Sequence, residues 1–139
     1  MAKPKKKPKI GTAKKRAWDW FSKYIRLKYS DNGWCTCVTC GERKWWEGEG
    51  IQAGHGIAKG NGNGIYFLEE VIRPQCSYCN GPGGGRPDKF IPLLIELYGE
   101  DGVEEFVRMK MAPRPYKVQE LQEMENHYKS EAKRMMEEL

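Results

Sequence analysis

Apolar residues recur at three- and four-residue steps in four stretches of the chain, and each stretch predicts an amphipathic helix. Ala17, Trp18, Phe21, Tyr24 and Ile25 mark the first, over residues 13–29, which ends in turn residues Ser30, Asp31, Asn32 and Gly33. Pro87 opens the second, where its missing N–H is harmless; Phe90, Ile91, Leu94, Ile95 and Tyr98 form the stripe and Gly99 fits the C-terminal cap. Pro92 predicts an irregular first turn or a later start for this helix. Asp101 and Glu104 make a capping-box-like start to a third helix, with Val103, Phe106 and Val107 inward, and Pro113 and Pro115 break it. Residues 116–139 carry the last stripe: Val118, Leu121, Tyr128, Ala132, Met135 and Leu139. That helix fits packing on the domain, pairing with a second chain, or extension into solvent. Trp18, Trp20 and Phe21 read as core or helix contacts ahead of a base-stacking role.

Residues 34–80 follow no helical period. Short apolar segments, Ile51–Ala53 and Ile65–Leu68, lie between glycine clusters and predict short strands. Gly60-Asn61-Gly62-Asn63-Gly64 is a loop; no Lys-Ser/Thr follows it, which excludes a P-loop. The fold class expected is α+β, a small core between N- and C-terminal helices. The 139 residues fit one domain over 13–110, a disordered basic tail over 1–12 and a C-terminal helix over 116–139.

Charge changes this picture at one end. Lys3, Lys5, Lys6, Lys7, Lys9, Lys14, Lys15 and Arg16 give residues 1–16 eight positive charges and no acid. The net charge is +5, so residues 17–139 carry −3. Pro4 and Pro8 and the like charges keep such a tail from ordering alone, and a polyanion is its natural partner. No apolar run reaches the roughly 18 residues of a membrane span, and the basic N-terminus has no apolar segment behind it to make a secretory signal. A cytoplasmic protein with no membrane partner is expected.

Five cysteines, an odd number, argue against a closed disulfide set. Cys37-x2-Cys40 and Cys76-x2-Cys79 are two C-x2-C pairs 35 residues apart, the spacing of a structural zinc site with four thiolates. Gly41 fits a tight knuckle after the first pair. Cys35 is the spare thiol, with a shell that takes Cys35 in place of Cys40 as the alternative. Between the pairs stands His55, flanked by Gly54 and Gly56, which are expected to leave room for a phosphate. An unperturbed imidazole near pKa 6.5 accepts a proton at neutral pH.

The run Gln52-Ala53-Gly54-His55, then Arg73-Pro74-Gln75-Cys76-Ser77-Tyr78-Cys79-Asn80, then a helix ending Tyr98-Gly99, resembles HNH nucleases. More narrowly it resembles the phage recombination nucleases of the NinG/Rap family, over about residues 18–100. The resemblance implies a zinc-stabilised ββα-metal core and a metal-dependent endonuclease acting on branched, Holliday-junction-like DNA. It implies His55 as general base and Asn80 as a ligand of a catalytic Mg2+ or Mn2+ ion, separate from the zinc. For a phage protein the compartment is the host cytoplasm, and resolving a junction would suit a homodimer. The lysines of the tail, with Lys14, Lys15, Arg16 and Arg86, are the candidate DNA contacts. The middle Asn of the HNH signature falls at Val71, and Glu69 and Glu70 are candidate carboxylates whose simpler reading is a solvated pair. Val71 favours a second function, a zinc-stabilised DNA-binding module whose catalysis has decayed; a zinc-organised adaptor is a third.

Overall fold

The computed structural model describes residues 6–139, so Lys3 and Lys5 lie outside the described residues. A long helix α1 (Ile10–Lys28) leads into a hairpin of β1 (Trp34–Thr36) and β2 (Arg43–Trp45). A second antiparallel pair follows, β3 (Ile51–His55) against β4 (Ile72–Cys76), in a register that sets Ile51 opposite Cys76 and His55 opposite Ile72. A single helical turn, α2 (Ser77–Asn80), leaves β4 directly, and α3 (Pro87–Met111) and α4 (Val118–Glu137) complete the chain.

Three apolar clusters hold these elements. Phe21 and Ile25 of α1 meet Ala53, Ile57, Ile65, Val71, Ile72, Phe90, Leu94 and Val103 in the largest. The second gathers Cys35, Cys37, Cys76 and Cys79 with Leu27, Trp46, Ile51 and Ala132. The third seats Leu121 of α4 on Ala13 and Ala17 of α1. Of the three fates the pattern left open for α4, the structure shows packing on the domain: Tyr128 meets the Phe21 ring at 4.8 Å and the Tyr24 ring at 5.0 Å.

Two segments differ from the pattern's expectation. Helix α1 starts at Ile10, earlier than residue 13: the Ala13 N–H already donates to the Lys9 carbonyl at 3.0 Å, and Ala13 packs against Leu121. Lys14, Lys15 and Arg16 lie in this helix, as the stripe over 13–29 predicts, and Ile10–Thr12 are helical too and not part of a disordered tail. Ile65–Leu68 is a turn, not a strand: Tyr66 and Leu68 donate back to Asn63 and Ile65, and Ile65 is driven inward as a single core plug. The second and third helices run on as one element bent at Gly99, whose φ of 75° and ψ of 164° only glycine adopts freely. Pro92 lies within it without breaking it; the exposed ring costs one backbone donor. Among the described residues no helix is long and apolar enough to cross a membrane.

Candidate metal centre and active-site cleft

The two C-x2-C pairs come from different ends of the β-structure and meet. Cys37 follows β1, and Gly41 returns its N–H to the Cys37 carbonyl at 2.9 Å, closing a knuckle that needs the left-handed φ of 80° at Gly41. Cys76 ends β4 and caps α2, accepting from the Cys79 N–H at 3.5 Å. The four Sγ atoms of Cys37, Cys40, Cys76 and Cys79 lie within 4.8 Å of one another, and Cys40 Sγ and Cys76 Sγ are 3.7 Å apart. Tetrahedral zinc with bonds of about 2.3 Å separates its sulfurs by about 3.8 Å, so the four could hold one zinc ion.

The protonation of these thiols favours a cation. Burial works to raise Cys37, but N–H groups of Cys76, Cys40 and Thr39 and the Thr39 hydroxyl outweigh it and bring it to about 6. Burial, together with the other cysteines of the cluster, pushes Cys76 up to about 12. Four thiolates this close cannot all ionise unaided, and a divalent ion supplies the missing charge. Cys35 is not part of the set. Its buried Sγ donates to the Arg26 carbonyl at 3.1 Å, and burial pushes it up to about 11; the thiol that joins Cys37, Cys76 and Cys79 is that of Cys40.

Beside this centre runs a cleft of about 460 Å3, walled by Trp18 and Ser22 of α1, Gln52, Ala53 and His55 of β3, and Asn80 of α2. The structure thus brings His55 and Asn80 to one cavity. His55 Nε2 lies 3.0 Å from the Tyr66 carbonyl oxygen, and its ring stacks on Trp18 with centroids 5.4 Å apart and an interplanar angle of 13°. Burial lowers its pKa to about 4, with Lys59 adding to the shift. The ring is neutral at pH 7, its single proton sits on Nε2 toward Tyr66, and Nδ1 is left as the basic nitrogen. Asn80 donates Nδ2 to Gln52 Oε1 at 2.7 Å, which leaves Oδ1 as an acceptor with no side-chain partner.

Gly54 and Gly56 do not open the site to a phosphate, as the sequence led us to expect. Both are buried, and neighbours occupy the space of a side chain. A Cβ on Gly54 would lie 2.9 Å from Gln75 Cβ, and one on Gly56 would lie 2.5 Å from Phe90 Cδ1 and 2.8 Å from Leu94 Cδ1. Gly56→Ala should therefore overpack the main core and cost about 1–3 kcal/mol. A denaturation midpoint equal to the unmodified protein's would contradict this.

The family model described as Bacteriophage Lambda NinG protein matches residues 2–138. The chain belongs to the NinG family. No curated protein and no solved structure matches it.

The remaining candidates of this NinG-family chain fall in different places. Val71 is fully buried in the main core, so no side chain at that position orients His55; the Tyr66 carbonyl does so instead. Glu69 is bound by Lys28 and by the Tyr24 hydroxyl and Glu70 is exposed; neither lines the cleft, and among the described residues no carboxylate does. Arg86 caps α3 and is held by Asp88 at 3.2 Å, which leaves it partly neutralised as a DNA contact. Lys15 is matched by Asp19 at 3.0 Å, while Lys6, Lys7, Lys9 and Arg16 are exposed.

Three contributors were not anticipated. Trp18 packs on the imidazole as well as on Phe21. Gln52 orients Asn80. Gln75 is fully buried and donates Nε2 to Thr39 Oγ1 at 3.1 Å and to the Gly85 carbonyl at 2.8 Å, tying the first cysteine knuckle to a turn that lines the cleft. A glutamine one residue before a cysteine of a C-x2-C pair was the available signal.

Proposed function

We propose that this NinG-family chain is a metal-dependent HNH-type endonuclease that hydrolyses phosphodiester bonds of branched, recombination-intermediate DNA. The observation that carries the proposal is the convergence of His55 and Asn80 on one cleft beside the four-cysteine cluster. The order β3, β4, α2 with the base on the first strand and the amide after the second supports a ββα-metal core. The preference for branched DNA rests on the resemblance to phage recombination nucleases.

In this reading His55 Nδ1 takes the proton from the attacking water, and the Tyr66 carbonyl and Trp18 hold the ring in place for it. Asn80 Oδ1 would hold a Mg2+ or Mn2+ ion, with Gln52 fixing the amide. Such an ion supplies positive charge against the phosphate and the leaving oxygen. With no carboxylate lining the cleft, the ion is expected to bind weakly without DNA, its remaining ligands being water and phosphate oxygens. The zinc ion, closed in by four thiolates, would be structural.

Incubating the purified protein with a four-way junction and with linear duplex of the same sequence, in Mg2+, tests the reading. Preferential cutting at the branch supports it, and equal cutting of both removes the branched-substrate part. The competing reading, a binding module that has lost catalysis, draws on Val71 and predicts binding to both with no cutting.

The basic tail should add affinity without sequence choice, since lysines meet phosphates as point charges. Because α1 begins at Ile10, the informative truncation removes residues 1–9. It should flatten the dependence of log affinity on log salt by up to about 0.9 per lysine removed. An unchanged slope would make the tail a signal for something other than DNA.

A further inference from the structure

The glycine-rich loop has no place in the chemistry above, yet it is where uncompensated positive charge gathers. Lys14 of α1 and Lys59, the residue before the loop, both set their ammonium groups over the ring of Tyr66, at 3.9 and 4.9 Å from its centroid. Lys14 Nζ also donates to Asn63 Oδ1 at 2.6 Å, and Asn63 adopts a left-handed φ of 62° to present that oxygen. Lys110 reaches the same loop: a Cβ on Gly60 would lie 3.3 Å from its Cε. None of the three lysines has a carboxylate within 4.0 Å among the described residues, whereas Lys15, Lys28 and Lys44 each have one.

Like charges brought together with no carboxylate paired to them store repulsion that an anion relieves; Asp19, whose charge acts on Tyr66, is paired with Lys15. Here burial and the neighbouring Lys59 both lower the pKa of Lys14. The loop is held firmly enough to keep them there. Gly62 accepts from the Arg114 N–H at 2.8 Å, and Gly64 lies against the Met109 carbonyl with no room for a side chain. Lys59 lines the His55 cleft, and Tyr66, under both ammonium groups, supplies the carbonyl that orients His55. One of these charges, Lys59, thus lines the cleft, and Lys14 meets it at the Tyr66 ring.

We propose that Lys14, Lys59 and the Gly60–Gly64 loop form a phosphate-binding site that grips the DNA backbone beside the bond to be cut. The proposal rests on the nuclease reading for its substrate, but its test needs no catalysis. Labelled four-way junction is titrated with the full-length protein in EDTA across a salt series, for the unmodified chain, Lys59→Gln, Lys14→Gln with Lys59→Gln, and Lys133→Gln as an exposed control on α4.

Each of the two site substitutions should reduce the slope of log affinity against log salt by about 1, and Lys133→Gln should not change it. Lys59 is exposed and has no ion pair, so its substitution leaves the fold intact, and zinc content checks the double variant. Slopes unchanged in both site variants overturn the proposal while leaving a nuclease reading free to stand on cleavage. A reduced slope in a protein that cuts nothing upholds the phosphate site and overturns the nuclease reading. No binding by the unmodified chain at low salt overturns both.

Discussion

Cys79→Ser should leave the protein without zinc and without a stable fold. Cys79 is 1% exposed, and it shares an apolar cluster with Cys37, Cys76, Trp46 and Ile51. That cluster is what joins the β1–β2 hairpin to the β3–β4 pair, and only three residues form each strand of the hairpin. A two-stranded unit this short is marginal in water by itself. With zinc in the four-cysteine site, its attachment would depend on an ion whose binding contributes on the order of 10–16 kcal/mol in small zinc domains. A serine hydroxyl is a far poorer ligand than a thiolate, and three remaining thiols would be left close together and partly buried. Elemental analysis should find one zinc per unmodified chain and much less than one in the variant, with the thermal transition lost or moved far down. Cys35→Ser is the contrast, because its thiol donates to the Arg26 carbonyl and is not one of the four that converge. Although Cys35 belongs to the same apolar cluster, it lies outside the four-thiol set, so the variant should keep a full zinc complement. Stoichiometric zinc in Cys79→Ser, or its loss in Cys35→Ser, would reverse the ligand assignment.

His55→Ala should reduce cleavage about 10²–10⁴-fold while zinc content and DNA binding stay as they were. The imidazole is the one group in the cleft that combines a proton acceptor with a fixed orientation, through Tyr66 and Trp18. Its depressed pKa, about 4, predicts where the acid limb of the rate profile falls. The base form persists well below pH 6.5, so the limb should lie nearer 4. The same shift affects stability. Protonation is disfavoured in the folded state, so its contribution is fully present above pH 6.5 and is lost as pH falls toward 4, by about 3 kcal/mol for a shift of this size. His55→Ala should remove that part of the acid sensitivity, with zinc content followed in parallel. Asn80→Ala should slow cleavage too, with partial rescue by raised Mg2+. Equal cutting by His55→Ala and the unmodified protein would remove His55 as the base.

Much of this architecture was legible in the order of residues. Period and proline placement located α1, α3 and α4, because amphipathic helices carry their packing direction in the sequence. Cysteine spacing located the four-thiol cluster that could hold zinc, since two knuckles need little beyond two thiols each and a glycine after the first. The short strands were harder. Trp34–Thr36 and Arg43–Trp45 are exposed on their outer positions and too brief to show alternation, so the hairpin was missed. Ile65 looked like strand because a plug residue in a turn has the same local composition as a strand core. Trp18 was read as core because one-dimensional periodicity cannot separate a ring that packs inward from one that packs on a histidine 37 positions away. The flanking glycines of His55 were assigned to substrate, but their hydrogens meet Gln75, Phe90 and Leu94, contacts that only the assembled core reveals.

The most direct measurement is cleavage of a labelled four-way junction by zinc-loaded, otherwise metal-free protein, before and after addition of Mg2+ or Mn2+. The account predicts no cutting before addition, cutting after it, and arrest by EDTA at a concentration that leaves the four-cysteine zinc in place. Intact junction under every ion, in a protein that carries its zinc and binds the DNA, would contradict it.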